Sequence, residues 1–373
     1  MKITVSTYIF KDAMDKIFKV IGKSTAPILE NVLVRSEGGY IYLSATNLEQ
    51  YVQIRISADT TADMGFVFSD TKSLLKAMKF FADDFITLEY VERENKSDSK
   101  IIKFGELTIS CGGKKAKQVV IYADEFPSFP ELEGELTNDT LYSNAKLKER
   151  FNAIKYAVST DSNRPALCGI CFRETDMAAN DGHRFSLNTD DGFLVAESFI
   201  VPCKAISLVN DILGESLSIK TTKKHIQFND DENNITIISR LCEGTYADYP
   251  RYIKHRGCRE VTASVKDYAN NLKYLRTFAP EKKKFKVSWY EDKLGFKPAG
   301  GYYESEIAVE GEMDIELQFN GNYMLEALAQ FEGTVIINSG NSFSQIILTS
   351  ETDRSNTAIV STLRNGDKLF QKA

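Results

Sequence analysis

Along the chain, short stretches of alternating apolar and polar residues repeatedly give way to stretches with apolar residues three and four apart. Alternation marks a half-buried strand, and the three–four spacing marks an amphipathic helix. The first such unit, I-T-V-S-T-Y-I-F-K-D-A-M-D-K-I-F-K-V-I from Ile3, sets Phe10, Met14, Ile17, Phe18 and Ile21 on one helical face. The pattern returns as T-L-Y-S-N-A-K-L-K-E-R-F-N-A-I-K-Y-A-V from Thr140 and E-V-T-A-S-V-K-D-Y-A-N-N-L-K-Y-L-R-T-F from Glu260, at offsets of 137 and 120 residues. A second strand-then-helix unit starts at Phe66, Phe199 and Ile315, at offsets of 133 and 116. Two elements repeating in step predict a threefold internal repeat.

Strand pairs follow each second helix. H-I-Q-F-N-D-D-E-N-N-I-T-I-I-S from His225 and T-V-I-I-N-S-G-N-S-F-S-Q-I-I-L from Thr334 each read as a hairpin, with turn-forming residues between two β-rich runs. The repeats meet near residues 125–135, rich in proline and acid, and near 254–259. The expected domains are therefore 1–131, 132–256 and 257–373. A shorter match links the first two. P-I-L-E-N-V-L-V-R from Pro27 precedes A-T-N-L-E from Ala45, and P-A-L-C-G-I-C-F-R from Pro165 precedes A-N-D-G-H from Ala179. His183 thereby aligns with Glu49, as a shared backbone turn requires and a catalytic imidazole does not.

The 373 residues are 43% hydrophobic and 26% charged, a balance that suits folded domains. The N-terminus has no sustained apolar run, and no stretch approaches the roughly 18 apolar residues of a membrane span, so the expected location is the cytoplasm, with no membrane partner. Six cysteines, scattered without an export signal, read as reduced thiols. The net charge of −6 does not by itself point to nucleic acid, but its distribution matters more than its total.

Candidate chemistry is sparse. Asp181-Gly182 is a turn signal, and His183 has no serine or cysteine elbow to serve. Cys168-Gly-Ile-Cys171 lies in a run that reads as a buried strand, where positions three apart point to opposite faces and disfavour one metal. No phosphate-cradling glycine motif occurs. No catalytic residue, metal or cofactor is expected, and an enzyme built on the CxxC or His183 is the discarded alternative. Basic residues are more telling. The first helix carries Lys16, Lys19 and Lys23, Lys72, Lys76 and Lys79 share a face of the second, and Lys146, Arg150 and Lys155 recur in the second repeat. The third carries Lys266, Lys273 and Arg276, then Lys282, Lys283 and Lys284. Recurrence on matching helices points to one positive surface for phosphate.

Four motifs in order carry a resemblance over nearly the whole chain: T-A-P-I-L-E-N-V-L-V with A-T-N-L-E, N-R-P-A-L-C-G-I-C-F with A-N-D-G-H-R-F, R-L-C-E-G-T-Y-A-D-Y-P-R-Y-I, and Q-F-N-G-N-Y-M-L-E-A-L. The chain resembles the bacterial DNA polymerase III β subunit family, the sliding clamps. The resemblance implies an α+β protein: three repeats of the DNA-clamp fold, each with two helices packed on β-sheets, and two chains joined head to tail in a ring. It implies a non-enzymatic processivity factor that encircles duplex DNA without regard to sequence. Its further partners would be the DNA polymerase catalytic subunit, the clamp loader, and repair and other clamp-binding proteins. Lys23 and Arg164 match basic positions of the family and join the DNA-facing set.

The resemblance also implies a groove for partner peptides, formed by Leu167, Gly182, His183, Arg184, Phe185, Arg251, Tyr252, Asn320, Tyr323, Ile359, Val360, Leu363 and Arg364. Here the sequence departs from the family pattern. Ala247 replaces the proline before D-Y, and the last strand reads A-I-V-S-T-L-R-N with Ser361 and Thr362, ahead of the tail G-D-K-L-F-Q-K-A. A more polar groove is expected, and the alternative reading is a specialised clamp homologue, such as a mobile-element clamp, with altered partners. For the subunit interface, the run K-Q-V-V-I-Y at 117–122 is the expected unpaired edge.

Overall fold

The computed structural model describes residues 1–97, 100–132, 134–253, 259–279, 285–298, 300–312, 316–339 and 345–363. For Tyr252, Arg259 and the described residues within 95–102, only the backbone is described. The first repeat comprises β1 (Lys2–Ser6), α1 (Thr7–Ile17), β2 (Leu33–Glu37), β3 (Tyr40–Thr46), β4 (Gln50–Ser57), β5 (Asp59–Thr60), β6 (Met64–Val67), α2 (Thr71–Met78), β7 (Phe85–Ser97), β8 (Lys100–Cys111) and β9 (Lys114–Tyr122). The second comprises β10 (Asn138–Ser143), α3 (Asn144–Ile154), β11 (Gly169–Glu174), β12 (Asp176–Asn180), β13 (Arg184–Thr189), β14 (Val195–Pro202), α4 (Cys203–Ile212), β15 (Ser216–Thr221), β16 (His225–Asp230) and β17 (Ile235–Arg240), then the one-turn α5 (Pro250–Ile253). The third comprises β18 (Arg259–Ser264), α6 (Val265–Thr277), β19 (Lys286–Tyr290), β20 (Lys293–Phe296), β21 (Tyr303–Glu306), β22 (Val309–Gly311), β23 (Leu317–Asn320), α7 (Gly321–Leu328), β24 (Thr334–Ser339), β25 (Gln345–Ser350) and β26 (Asn356–Ser361). The strand–helix order that the periodicity predicts thus occurs three times.

Local chemistry sets the helix ends. In α1, Phe10, Ala13, Met14 and Ile17 are buried. The predicted face stops there: Phe18–Val20 tightens into a 3₁₀ turn and Ile21 is extended, so Val20 rather than Ile21 enters the core. Asp70 caps α2 by accepting from the Ser73 N–H at 2.9 Å, and Ser264 caps α6 through the Asp267 N–H, each satisfying a donor the helix leaves open. In the third repeat, Tyr268, Leu272 and Leu275 of α6 and Met324, Ala327 and Leu328 of α7 pack with Trp289, Phe285 and Phe319.

The chain forms two compact units, Met1–Leu147 with Lys204–Leu241, and Lys148–Cys203 with the segment from Cys242 onward. Each holds one junction of the same design. In the first, the run β10-β15-β16-β17 continues into β4-β3-β2-β6 through antiparallel pairing of β17 with β4, Ile235 opposite Ile54 and Ile237 opposite Val52. In the second, β18-β24-β25-β26 continues into β13-β12-β11-β14 through β26 and β13, Ile359 opposite Phe185. The last hairpin strand of one repeat therefore pairs with the third strand of the sheet in the repeat before it. Two strands of these kinds are left over among the described residues: β21, which ends the sheet β21-β20-β19-β23, and β9.

β9 departs in part from the expected edge. Tyr122 and Ile121 pair with Phe66 and Val67 of β6, while Lys114–Val120 pair with β8 alone. The open edge is therefore 114–120 rather than 117–122. Gly112 and Gly113, at φ +47° and +68°, make the two-residue turn between β8 and β9, a backbone that glycine adopts without steric cost.

Candidate functional site

The residues of the expected groove fall mainly around one turn and the elements beside it. Between β12 and β13, Gly182 has φ +89°. The Asn180 Oδ1 accepts from the Gly182 N–H at 2.7 Å. The Asp181 Oδ1 accepts from the N–H groups of His183 and Arg184 at 2.8 and 2.9 Å, and its Oδ2 accepts from Arg184 Nε at 2.9 Å. The carboxylate is consumed by the turn. The first repeat makes the same turn: Asn47 Oδ1 accepts from the N–H groups of Glu49 and Gln50, and Leu48 has φ +73°. The alignment of His183 with Glu49 is thus a matter of backbone.

Neighbouring elements fix the turn's side chains. The His183 carbonyl accepts from the Ser361 N–H at 2.9 Å, because β26 runs beside β13. The exposed His183 ring stacks on Tyr323 of α7, centroids 6.1 Å apart at 21°. The Arg184 guanidinium lies 4.5 Å from the Tyr323 ring centroid and 5.6 Å from that of Tyr156, and it pairs with Glu326 as well as Asp181. Two carboxylates thus balance one cation, and its flat faces are covered by rings. Burial pushes the Tyr156 phenol up to about 12, so it stays neutral. Asn320 caps α7, its Oδ1 accepting from the Asn322 N–H, which orients the helix that presents Tyr323 and Glu326.

Beneath this polar rim, Phe185, Leu187, Cys171, Ala178, Ile347, Ile359 and Tyr249 form an apolar base, with Tyr246 and Ile253 against it. The Tyr249 ring lies 5.2 Å from that of Phe185, and its hydroxyl donates to Asp176 Oδ2 at 3.0 Å. Burial, then the Asp176 carboxylate, raises the Tyr249 phenol, so it remains a donor. Tyr246 donates to the Ala178 carbonyl at 3.3 Å. Arg173 and Arg251 share Asp248, at 3.2 and 2.6 Å. Leu167 sits partly buried in the 3₁₀ turn Pro165–Cys168.

Four expected groove residues need correction or lie elsewhere. Strand alternation sends Ile359 into this base but turns Val360 to the opposite face, where it joins the core with Phe319 and Leu348. Leu363 is partly buried, and its N–H donates to the Gln318 carbonyl at 2.7 Å. Arg364 and the tail lie outside the described residues, as does the Tyr252 side chain. Tyr156, Tyr249 and Glu326 belong to the site without having been expected there. Tyr249 stands in the quoted D-Y-P-R-Y, whereas Glu326 shows only as one turn beyond Tyr323 on α7, a spacing that shares a helix face.

Of the basic set, Lys19, Lys23, Lys72, Lys76, Lys79, Lys146 and Lys273 are exposed. Lys16 is partly buried beside Asp12 at 2.8 Å, and Lys19 Nζ also donates to the Asp211 carbonyl at 2.7 Å. Arg150 is a correction: only 3% exposed, it donates to Asn188 Oδ1 at 2.7 Å, the Asn188 carbonyl at 3.0 Å and the Thr175 carbonyl at 2.6 Å. Its charge is committed to buttressing the strand ends and is unavailable to phosphate. Arg164 belongs with the turn: a Cβ added to Gly182 would stand 3.2 Å from its Nη1. Lys282, Lys283 and Lys284 lie outside the described residues. Burial pushes the Cys171 thiol up to about 12, which suits a core residue. Among the described residues, no group of three or more His, Cys, Asp or Glu is placed to hold a metal, and no helix is long and apolar enough to cross a membrane.

Comparison with known proteins places this geometry in context. Residues 1–130 match the N-terminal domain of the DNA polymerase III beta subunit, and residues 142–248 match its central domain. The beta sliding clamp of Staphylococcus epidermidis is 23% identical over 98% of this chain and 99% of that protein. The beta sliding clamp of Buchnera aphidicola is 24% identical over 98% and 100%. The crystal structure of the C. crescentus beta sliding clamp superposes with a TM-score of 0.83 at 21% identity, covering 98% of this chain and 99% of that one.

Proposed function

We infer the working of this molecule from its kinship: the chain belongs to the DNA polymerase III β subunit family, and it is a DNA sliding clamp. Its function is to hold a polymerase on DNA, not to catalyse a reaction. Its finer partners, the clamp loader and repair proteins, follow from the family alone.

The observation that carries a ring of two chains is the repeated junction. β17 joins β4 and β26 joins β13 by the same antiparallel rule, and that rule leaves β9 and β21 as the unused pair. Two chains joined head to tail would supply two β9–β21 junctions. The edges differ in charge as well. β9 presents exposed Lys114, Lys115 and Lys117, and β21 presents exposed Glu304 and Glu306. A strand edge with open hydrogen-bonding groups invites a partner strand, and opposite charges across it favour the intended one.

The exposed Lys19 and Lys23 beyond α1, and the exposed lysines of α2 and α6, would then face the enclosed duplex, with contacts that are sequence-blind and salt-sensitive. The Phe185–Tyr249–Ile359 base under the His183–Arg184 rim would take short apolar anchors of partner peptides. Retention on nicked circular DNA tests the reading: the protein should stay bound until the circle is cut and then slide off. Equal retention on circle and linear fragment would replace encirclement with ordinary binding. A mobile-element clamp with its own partner set gains no support from a specific contact.

A further inference from the structure

The two internal junctions carry the register in which a third would form. Thr4, Leu141 and Thr262 each stand two residues before the serine that precedes a repeat's first helix, Ser6, Ser143 or Ser264. In the first repeat the ladders set Thr4 opposite Thr87, Thr87 opposite Ser110, and Ser110 opposite Lys115 of β9. The same three steps lead from Leu141 through Ser218 and Asn229 to Thr236 of β17. From Thr262 they lead through Ile336 and Thr349 to Thr357 of β26. Lys115, Thr236 and Thr357 are therefore equivalent.

The receiving strands align in the same way. Leu33 and Cys171 match in the two proline-led motifs. Cys171 lies opposite Ile200, two residues before the Pro202 that precedes α4, and Ser288 lies opposite Gln318, two residues before the Asn320 that precedes α7. Two ladder steps carry Leu33 through Ser44 to Gln53 of β4, Cys171 through Ala178 to Leu187 of β13, and Ser288 through Gly295 to Glu304 of β21. The observed junction pairs are Gln53–Thr236 and Leu187–Thr357. The remaining combination is Glu304 with Lys115. One residue away, on the other face, Tyr303 and Ala116 stand where the internal junctions have Val52–Ile237 and Ser186–Ala358.

We propose that two copies of this chain close with Glu304 opposite the partner's Lys115, a charged pair where both internal junctions have uncharged ones, and that this makes the subunit seam the salt-sensitive joint at which the ring opens. The proposal rests on the two-chain reading above and adds its register and its weak point. Salt screens an exposed ion pair and leaves Gln–Thr or Leu–Thr neighbours as they are. The internal junctions are also held by the continuous chain, whereas the seam has only its strand pairing and its side chains.

The surroundings of each residue suit this pairing. Lys115 and Glu304 are both exposed. Lys117, two residues along on the same face as Lys115, already pairs with Glu106 of β8 at 3.4 Å, which makes Lys115 the stronger attractor for a carboxylate arriving at the edge. Glu304 and Glu306 share the single Lys293 amine at 3.4 Å each, and the Tyr302 hydroxyl donates to Glu304 at 3.1 Å. Two carboxylates against one amine leave the β21 edge negative. Size fits as well as charge: the Tyr303 ring lies flat on Phe278, centroids 3.7 Å apart, and the residue that the register sets opposite Tyr303 is the small Ala116.

Cross-linking of the full-length protein reads the register. A chain carrying Lys115→Cys with Glu304→Cys is oxidised under native conditions with copper phenanthroline. Opposed Cα atoms of an antiparallel pair lie about 4.5–5.5 Å apart, within the span of a disulfide. Two chains should therefore be joined, and proteolytic mapping by mass should find positions 115 and 304 in one cross-linked fragment. Lys117→Cys with Glu304→Cys, slipped by two residues, should cross-link about tenfold more slowly. Light scattering over a dilution series then gives the dimer Kd at each salt concentration. Between about 0.1 M and about 1 M salt the native Kd should rise about tenfold, as the reach of charge falls from about 10 Å to about 3 Å. Lys115→Thr with Glu304→Leu, the pair that β26 and β13 use, should still dimerise, and its Kd should change less than about threefold over the same range. Faster linking of the slipped pair, or links that map only to other cysteines, would overturn the register. An equal salt response in the Thr–Leu variant would overturn the charged seam. A native protein that is monomeric at every concentration sinks the two-chain reading itself and the seam with it, whereas a native dimer linked in another register leaves that reading standing.

Discussion

Leu48 and Gly182 hold the same left-handed backbone conformation, at φ +73° and +89°, at equivalent points of two repeats. Each follows an Asn or Asp whose Oδ1 accepts from the N–H groups two and three residues further on. The turn tolerates a leucine because its side chain is about half exposed, but an L side chain in this region costs roughly 1–2 kcal/mol. Leu48→Gly is therefore expected to stabilise the protein by about 0.5–1 kcal/mol, net of the entropy that glycine loses on folding. Gly182→Ala should cost about 1 kcal/mol and push aside the Arg164 guanidinium, which the new Cβ would meet at 3.2 Å. Denaturant unfolding of the two variants measures both, and equal signs would show that the turns are not equivalent.

Arg150 and Lys76 separate structural from interfacial basic residues. Arg150→Met leaves the Asn188 Oδ1 without its buried donor, while the Thr175 carbonyl keeps the Asp190 N–H, at an expected cost of about 1–3 kcal/mol. The same change should leave the salt dependence of DNA binding untouched. Lys72 and Lys76 on α2, and Lys79 just past its end, are exposed. Changing all three to Glu should leave the unfolding midpoint within about 0.5 kcal/mol. It should also lower the slope of log K against log salt by roughly 0.9 for each phosphate no longer neutralised. The inverse pattern would move Arg150 back to the DNA surface and take the lysines off it.

Much of this is legible in the sequence because the clamp repeats itself. Strand–helix periodicity finds six of the helices, and the A-T-N-L-E and A-N-D-G-H match finds a turn whose backbone hydrogen bonds recur in both repeats. Arg150 reads as interfacial because helical spacing says which residues share a face, not whether that face is covered, and Phe193 and the β13 end cover this one. Val360 misleads for a similar reason: matching a motif assigns a position, while strand alternation decides which way its side chain points. Helical spacing puts Glu326 on the face of Tyr323 but does not reveal its ion pair with Arg184, because that partner lies far away in the chain and long-range ion pairs leave no local pattern.

The Asp70 cap gives a pH dependence with a definite sign. Hydrogen bonds from Ser73, with lesser help from Lys76 and Lys72, lower its carboxyl below the ordinary 3.8. A carboxyl lowered by folding contributes stability above its unfolded value and loses it as pH falls through the folded one. Asp70→Ala should therefore cost about 1 kcal/mol at pH 7, and its difference from the native protein should shrink as pH falls below the ordinary 3.8. Unfolding measured from neutral pH down to strong acid checks this. A difference that stays constant with pH would assign the loss to helix propensity instead of the charged cap.

The β9–β21 junction makes the strongest demand on the molecule. In a head-to-tail pair each chain contributes one basic edge and one acidic edge. Lys115→Glu with Lys117→Glu makes both edges of that chain acidic, and both of its self-junctions then repel. Glu304→Lys with Glu306→Lys makes both edges basic, with the same effect. Like charges brought together across a strand pair are destabilising, so light scattering should find each variant alone near the 42.0 kDa of one chain. The native protein should scatter at twice that mass. Mixing the two variants reverses the outcome: the altered β9 of one meets the altered β21 of the other, and the native edges meet at the second junction. The mixture should recover the doubled mass, less so at about 1 M salt, where screening shortens the reach of charge to about 3 Å. Circular dichroism of each variant should match the native spectrum, so that loss of mass reports loss of pairing. Variants that stay dimeric alone, or a mixture that stays monomeric, would place the subunit contact on other strands.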